Sequence, residues 1–169
     1  MPPSFTVVLE LPQMVKDNED PNRTAYTISV DASDETVTTG ISAHDRALTC
    51  RTLASDSSEP SSFRRPGHVF PLRSRTGGIL QRRGHTEAAV EFCRLAGKPP
   101  VGVISELIED GTEEPYNAER QESGMLRRDG CLAFGKRWGL KVCTIEDLVD
   151  YVEGEQRQRQ HNRLSNGFA

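Results

Sequence analysis

Apolar residues recur along the chain at two spacings, and these predict alternating strands and helices. Runs rich in Val, Ile, Phe and Thr, or with a period of two, are typical of strands. The predicted strands cover residues 4–11, 24–32, 68–73, 99–108 and 140–145. Apolar positions three and four apart, preceded by capping residues, predict helices. The predicted helices cover residues 42–55, 86–97, 124–139 and 144–160.

Particular side chains sharpen the helix predictions. Ser42 and Thr86 have the short hydroxyl side chains of N-caps, and Thr144 stands near the start of the last helix. Gly97 is a stop signal for the helix that Thr86 begins. Trp138 is expected to face inward from its helix.

The order of elements predicts an α+β fold, a single layered α/β domain with a mixed sheet flanked by helices. This domain is expected to cover residues 1–153, followed by a disordered tail at 154–169. Residues 109–123 are polar and acidic and predict a surface loop, with an insertion at 112–123.

Composition excludes several classes of protein. The net charge of −4 argues against a nucleic-acid-binding protein. No apolar run is long enough to span a membrane, and no signal peptide is expected. The four cysteines form no CxxC pair, so a zinc site is not expected, and a reduced, cytoplasmic protein is the simplest interpretation.

Polar residues gather where the helix over 86–97 begins, in the stretch "RRGHTE". Free backbone N–H groups and the helix dipole favour a phosphate there, and Gly84 lets the backbone approach a ligand. Arg82 or Arg83 could complete a clamp on the anion, and His85 could act as a base or a metal ligand. The alternative is an ordinary capped helix with solvated arginines.

Two further residues could transfer protons. His68 lies between Gly67 and an apolar run, where a histidine either takes part in catalysis or only makes structural hydrogen bonds. Glu106 ends the predicted strand over 99–108, and strand ends hold the active sites of many α/β folds. The alternative for Glu106 is a salt bridge to a neighbouring arginine.

Four stretches in sequence order resemble one family: "TTGISAHDRALTCR", "FRRPGHVFPLRSRTGGILQRRGHTEAAVEFCRLAG", "PPVGVISELIEDG" and "LKVCTIEDLVDYV". They resemble 3,4-dihydroxy-2-butanone 4-phosphate synthase of riboflavin biosynthesis, over about residues 11 to 152. The resemblance implies a lyase that converts D-ribulose 5-phosphate into 3,4-dihydroxy-2-butanone 4-phosphate and formate with Mg²⁺, or Mn²⁺ in its place. It also implies a cytoplasmic homodimer with its active site at the subunit interface.

The resemblance implies a role for each candidate residue. His68 and Glu106 are implied as the two acid/base residues. Substrate contacts are implied for Arg82 and Thr86, with Arg83, Gly84 and Thr39 in the neighbouring stretches. His85 is implied as a substrate contact and as a metal ligand.

The family's acidic loop of the form "REDEGDL", whose glutamate is the second metal ligand, is not found in this sequence. The chain is therefore expected to be shortened at its N-terminus relative to the family. Two hypotheses follow: an active Mg²⁺-dependent synthase, or a non-catalytic sugar-phosphate-binding or regulatory relative.

Overall fold

The chain forms two compact units, Met1–Val103 and Ile104–Ala169. The structure, a computed structural model, describes residues 1–109, 112–113, 120–121 and 124–166. Helices and short antiparallel strands make up both units, which confirms the predicted α+β class. The single domain over 1–153 stays a prediction.

Four helices and four strands build the first unit. The helices are α1 (Pro3–Val8), α2 (Ala43–Leu53), α3 (Gly78–Gln81) and α4 (His85–Leu95). The strands are β1 (Ala25–Tyr26), β2 (Val30–Ala32), β3 (Phe63–Val69) and β4 (Leu72–Arg73). Strand β1 pairs with β4 and β2 with β3, both antiparallel. The predicted mixed sheet is wrong, since all ladders between described strands are antiparallel pairs.

Helix α1 replaces the predicted strand over 4–11. Pro3 occupies the first helical position, where its missing N–H costs nothing, and the hydroxyl of Thr6 donates to its carbonyl at 2.8 Å. Helical spacing buries Thr6 and Leu9 and leaves Val7 and Val8 72% and 64% exposed. A short apolar run does not distinguish a strand from a helix, which is why the strand prediction was wrong.

A small apolar core lies between α1, β2, α2 and β3. Its fully buried members are Met1, Leu9, Leu11, Val30, Leu53 and Phe63. Ala32 at the end of β2 donates its N–H to Thr49 Oγ1 on α2, at 2.9 Å, and Thr49 donates in turn to the Asp45 carbonyl. These contacts fix α2 against β2, the strand that contains Asp31.

Helices α2 and α4 confirm two predictions and correct one. Ser42 caps α2 by accepting the Asp45 N–H at 3.0 Å. Helix α4 ends before Gly97, whose φ of +64° is the left-handed conformation of a helix stop. The N-cap of α4 is Gly84 rather than Thr86, because Thr86 is a helical residue turned inward and only 8% exposed.

Residues 99–107 form no strand, which corrects the prediction for 99–108. Val103 and Ile104 are 74% and 46% exposed, so this apolar stretch is not a buried central strand. Pro99 and Pro100 lack the N–H that a ladder needs. The first paired residues are Ile108–Glu109, strand β5.

The described residues of the second unit form two antiparallel strand pairs and two helices. Strand β5 pairs with β8 (Gly124–Met125), and β6 (Thr112–Glu113) pairs with β7 (Arg120–Gln121). The remainder of the predicted loop over 109–123 lies outside the described residues.

Helix α5 (Arg128–Trp138) is shorter than the predicted helix over 124–139. Gly139 ends it with a φ of +65°. Trp138 is 58% exposed, so the expectation that it faces inward is wrong for this unit.

Helix α6 (Ile145–Asn166) begins where predicted, with Thr144 accepting the Asp147 N–H at 3.1 Å. Residues 140–144 are irregular rather than a strand. The helix continues through 154–166, which corrects the expectation of a disordered tail there. Pairs such as Glu153–Arg157, one turn apart, give this polar stretch local helical support. None of the described helices is long and apolar enough to cross a membrane.

Candidate active site

A histidine and an aspartate pair across strands β2 and β3. His68 Nδ1 lies 2.8 Å from Asp31 Oδ2, and the His68 backbone N–H donates to Asp31 Oδ1 at 2.9 Å. The Asp31 side chain is 10% exposed and that of His68 is 43% exposed. One carboxylate thus holds both the backbone and the ring of the histidine, with the ring open to a ligand.

An irregularity in the ladder creates this arrangement. Val30 pairs with Val69, and the next residue, Asp31, pairs with Arg64. Residues 65–68 of β3 therefore have no paired residue in β2 and form a bulge. Such a bulge redirects side chains from the regular alternation. Gly67 sits against the backbone of Val30, where a side chain would collide.

Gly40 closes over the pair from the turn before α2. A Cβ at this position would collide with the Asp31 carboxylate and lie 2.6 Å from His68 Nδ1. Its φ is +85°, a conformation that favours glycine. The neighbouring Thr39, predicted as a substrate contact, is exposed in the same turn.

Asp45, at the start of α2, holds this turn. Its Oδ2 accepts the N–H groups of Thr38 and Gly40, at 3.2 and 3.0 Å, and the Thr38 hydroxyl at 3.0 Å. Burial acts to raise the pKa of Asp45, but hydrogen bonds led by the Gly40 N–H, with His44, Ser42 and Thr38, lower it to about 2. The ionised carboxylate is therefore the form that the folded turn binds.

The change Asp45→Asn should lower stability at neutral pH, and the loss should shrink in acid. A carboxyl whose pKa is depressed in the fold contributes stability above its unfolded pKa, near 3.8, and loses it as the pH falls through about 2. Urea unfolding of both proteins between pH 7 and pH 2.5 measures this. A gap that stays constant over that range would contradict it, and Asp150→Asn, at an exposed position on α6, is the control.

Helix α4 presents the second group of candidate residues. Arg82 lies before it, Gly84 is its N-cap and His85 is its first residue, exposed to solvent. The N-cap makes no side-chain hydrogen bond, so the first N–H groups of the helix are not capped by it. Arg83 is exposed beside them. The predicted anion site therefore has its expected backbone geometry.

Arg82 is bound to the protein itself. Its Nη1 donates to Glu87 Oε2 at 2.6 Å and its Nη2 donates to the Asn22 carbonyl at 3.0 Å. Glu87 is 1% exposed, and its Oε1 accepts the Arg75 N–H at 2.9 Å. The buried carboxylate thus neutralises the arginine that the sequence predicted as the anion clamp.

The described residues form no complete magnesium site. Mg²⁺ prefers oxygen ligands in octahedral geometry. Within the described part of the chain, no three His, Cys, Asp or Glu side chains converge on one point. The carboxylate nearest His85 in sequence, Glu87, is buried and paired with Arg82. Among residues 1–109, 112–113, 120–121 and 124–166, His85 therefore has no second candidate ligand converging with it into a three-residue site.

Glu106 lies in the second unit, exposed, in the irregular segment before β5. The prediction that it ends a strand is wrong, because residues 101–107 have no strand pairing. Its role beside His68 stays a prediction.

Sequence reasoning missed Asp31, Gly40 and Glu87. An aspartate inside the apolar strand "ISVDA" was a usable signal, since a carboxylate in a half-buried strand needs a partner. In the sequence, the position of Glu87 is that of an ordinary acidic residue in the first turn of a helix. Its burial and its bond to Arg82 depend on tertiary packing, which the local pattern does not contain.

Comparison with known proteins identifies the family. The family model of 3,4-dihydroxy-2-butanone 4-phosphate synthase matches residues 1–151. A synthase from Pyricularia oryzae is 61% identical over 160 residues, which are 95% of this chain and 69% of that protein. One from Schizosaccharomyces pombe is 54% identical over 148 residues, covering 86% of this chain and 67% of the relative.

Solved structures agree with these matches. A crystal structure of 3,4-dihydroxy-2-butanone 4-phosphate synthase in complex with two magnesium ions superposes with a TM-score of 0.87 at 62% identity. The match covers 92% of this chain and 72% of the solved one. The fold and the sequence thus point to the same class, the synthases that make a four-carbon sugar-derived phosphate. The chain belongs to the 3,4-dihydroxy-2-butanone 4-phosphate synthase family.

Proposed function

We propose that this chain carries the lyase activity of its family, converting D-ribulose 5-phosphate into 3,4-dihydroxy-2-butanone 4-phosphate and formate in riboflavin biosynthesis. The observation that carries the proposal is the Asp31–His68 pair, placed on a bulged strand under Gly40. Family membership supplies the substrate class, and the pair supplies a proton-transfer group suited to it.

The reaction must begin by removing a proton from a carbon beside the substrate's ketone, which requires a general base. An ionised carboxylate only accepts hydrogen bonds, so Asp31 holds the proton of neutral His68 on Nδ1. Nε2 is then left as the basic nitrogen. His68 takes the proton at Nε2, and Asp31 stabilises the imidazolium that forms.

The start of α4 is proposed to bind the phosphate. Its uncapped N–H groups and the positive end of its dipole attract an anion. Gly84 leaves the backbone open there, and Thr86, though largely buried, is proposed to contribute its hydroxyl. Arg83 and Thr39 complete the proposed substrate contacts.

Glu106 is proposed as the second acid/base group. Release of formate needs a further proton transfer besides the one at His68. The carboxylate of Glu106 is exposed to solvent and is proposed to carry out this second proton transfer. The change Glu106→Gln, which keeps the shape of the side chain and removes its charge, tests the assignment.

A divalent ion, Mg²⁺ or Mn²⁺, is proposed as a requirement of the activity. When bound, such an ion would stabilise negative charge on substrate oxygens. His85 is the proposed ligand from this chain, and one imidazole alone is a poor magnesium site. The described residues do not complete the ligand set, and the roles proposed for His68 and Asp31 are argued from their own contacts.

Formate release from ribulose 5-phosphate tests the proposal directly. Well-folded protein with Mg²⁺ should release formate and the four-carbon phosphate in equal amounts. The alternative is a non-catalytic sugar-phosphate-binding or regulatory relative, and the identity to named synthases favours the lyase over it. Calorimetric titration separates the two, since binding without turnover supports the alternative and failure to bind contradicts both.

The change His85→Ala should raise the Mg²⁺ concentration needed for half-maximal activity about tenfold or more, because a ligand is lost. Its unfolding midpoint should stay near that of the wild type, since the ring is exposed. A Mg²⁺ titration of initial rates measures the effect. His44→Ala, an exposed histidine at the start of α2, is the matched control, and an unchanged titration for His85→Ala would remove the residue from the site.

A homodimer is proposed as the assembly, since the resemblance places the family's active site at a subunit interface. The partners proposed are thus a second copy of this chain and a small sugar phosphate, with neither nucleic acid nor membrane, in the cytoplasm. Sedimentation equilibrium over a range of concentrations measures the dimer.

A further inference from the structure

The bulge in β3, over residues 65–68, takes backbone groups out of the ladder with β2. A backbone N–H that is withdrawn from water needs an acceptor, because an unpaired one costs free energy. Pro66 has no N–H, and His68 donates its own to Asp31 at 2.9 Å. The N–H of Gly67, between these two residues, therefore needs an acceptor that the ladder does not supply.

Ser29, the residue just before β2, supplies that acceptor. Its Oγ accepts the Gly67 N–H at 3.2 Å, and the residue is 8% exposed. A buried hydroxyl is costly unless it is hydrogen-bonded, so one bond satisfies both groups. The two residues lie 38 positions apart in the chain, and the bond is thus a tertiary contact that fixes the bulge.

Gly67 also lies against the backbone of β2, beside Asp31. A Cβ on Gly67 would collide with the Val30 carbonyl carbon and with the Asp31 nitrogen. The main chain of Gly67 therefore packs on the peptide that joins these two residues. Because His68 follows Gly67 directly, a shift of Gly67 would move the His68 N–H relative to the Asp31 carboxylate.

Three buried polar residues at alternate positions contact the chain around His68, namely Thr27, Ser29 and Asp31. The partner of Thr27 lies beyond the bulge. Its hydroxyl donates to the Pro71 carbonyl at 2.9 Å, and its N–H donates to the same oxygen at 3.0 Å. Ser29 differs from Thr27 because its partner adjoins the histidine.

We infer that Ser29 is a positioning residue for His68, since its hydroxyl fixes Gly67 and thereby holds the histidine at Asp31. This role rests on the proposed function, in which His68 is the base, and deepens it by naming a residue outside the proton-transfer pair. The Asp31 carboxylate binds both the N–H and the ring of His68. A displaced main chain therefore displaces the ring as well, and with it the Nε2 that accepts the proton.

Steady-state kinetics of Ser29→Ala test this role. The Gly67 N–H loses its acceptor, and kcat should fall about tenfold because a misplaced base reacts slowly. KM should stay within about twofold, since the interaction that is lost acts on the chemical step. Ser29→Thr, which keeps a hydroxyl, should recover most of kcat. An unchanged kcat for folded Ser29→Ala, or an equal loss for both variants, would overturn the inference.

The NMR signal of the His68 Nδ1 proton provides a measurement that needs no turnover. A ring proton in a charge-assisted hydrogen bond to a carboxylate resonates downfield, and its loss in His68→Gln assigns the signal. Ser29→Ala should shift or broaden this signal. Thr27→Val is the matched control, because it removes a buried hydroxyl while Pro71 keeps the Thr27 N–H. It should leave both the signal and kcat unchanged.

Failure of the positioning role and failure of the proposed function give different results. If wild type releases no formate but Ser29→Ala shifts the signal and Thr27→Val does not, the proposed function fails and the positioning role holds. An absent signal in wild type, or one that Ser29→Ala leaves unchanged, overturns the role whatever the kinetics show. If Ser29→Ala does not fold, Ser29→Cys, whose sulfur is a weak acceptor, replaces it with the same expected results.

Discussion

Replacing Asp31 with asparagine is expected to lower kcat about 100-fold or more, with KM little changed, because the histidine loses its correct tautomer. An asparagine can still accept the His68 backbone N–H with its carbonyl oxygen. Its NH₂ group then faces Nδ1 of the ring, which must become an acceptor. The proton moves to Nε2, and His68 can no longer act as a base there.

The experiment combines kinetics with a matched control. Asp34→Asn, three residues further on in an exposed turn, removes the same charge without touching His68 and should leave kcat unchanged. His68→Gln should lose at least as much activity as Asp31→Asn. The double variant should be no worse than His68→Gln alone, since the two residues act as a unit. Full activity of Asp31→Asn would exclude the pair from proton transfer.

Removing Glu87 should cause the largest loss of stability. Glu87→Ala leaves Arg82 without its buried partner and the Arg75 N–H without an acceptor. Breaking a buried ion pair in this way costs about 3 kcal/mol, at the lower end of the usual range because Arg82 is 24% exposed. Urea unfolding at neutral pH measures the difference.

Another glutamate on the same helix provides the comparison. Glu91 pairs with Arg94 at 3.6 Å, and the arginine is 48% exposed. Glu91→Ala should therefore cost less than about 1 kcal/mol. Adding Arg82→Ala to Glu87→Ala should recover part of the lost stability, because the uncompensated charge is removed. If Glu87→Ala and Glu91→Ala lowered the free energy of unfolding equally, the Arg82–Glu87 pair would stabilise the fold no more than an exposed pair.

The parts of the fold that the sequence predicted are those whose signals are local. Ser42 caps α2 and Thr144 begins α6 because a short hydroxyl beside the first turn binds a backbone N–H three residues on. Gly97 ends α4 because only glycine adopts a positive φ without cost. Each of these depends on a few neighbouring residues.

The failures come from apolar runs whose periodicity is ambiguous. Residues 4–11 contain enough Val and Phe for a strand, yet Pro3 and the burial of Thr6 and Leu9 select a helix. Residues 103–108 include the exposed apolar residues Val103, Ile104 and Ile108, so the apolar pattern there does not reflect burial in a sheet.

The candidate site was predicted in part. The sequence singled out His68, Arg82, Gly84 and His85 as candidates, and their roles stay predictions; the start of α4 leaves its first N–H groups without a side-chain cap, as an anion site requires. The partners of these residues were not found, because Asp31 lies 37 positions from His68. Only a folded sheet with a bulge brings such distant residues into contact.

The two oxygens of Asp31 have a consequence for the entropy of the reaction. One binds the backbone N–H of His68 and the other binds its ring, so the imidazole is fixed relative to its own main chain. Rotation of a side chain about its torsions is conformational freedom that must otherwise be lost when substrate and base are aligned. In this protein that freedom is lost when the chain folds, before any substrate arrives. The orientation of His68, the proposed base, is thus a property of the resting protein rather than of each encounter with substrate.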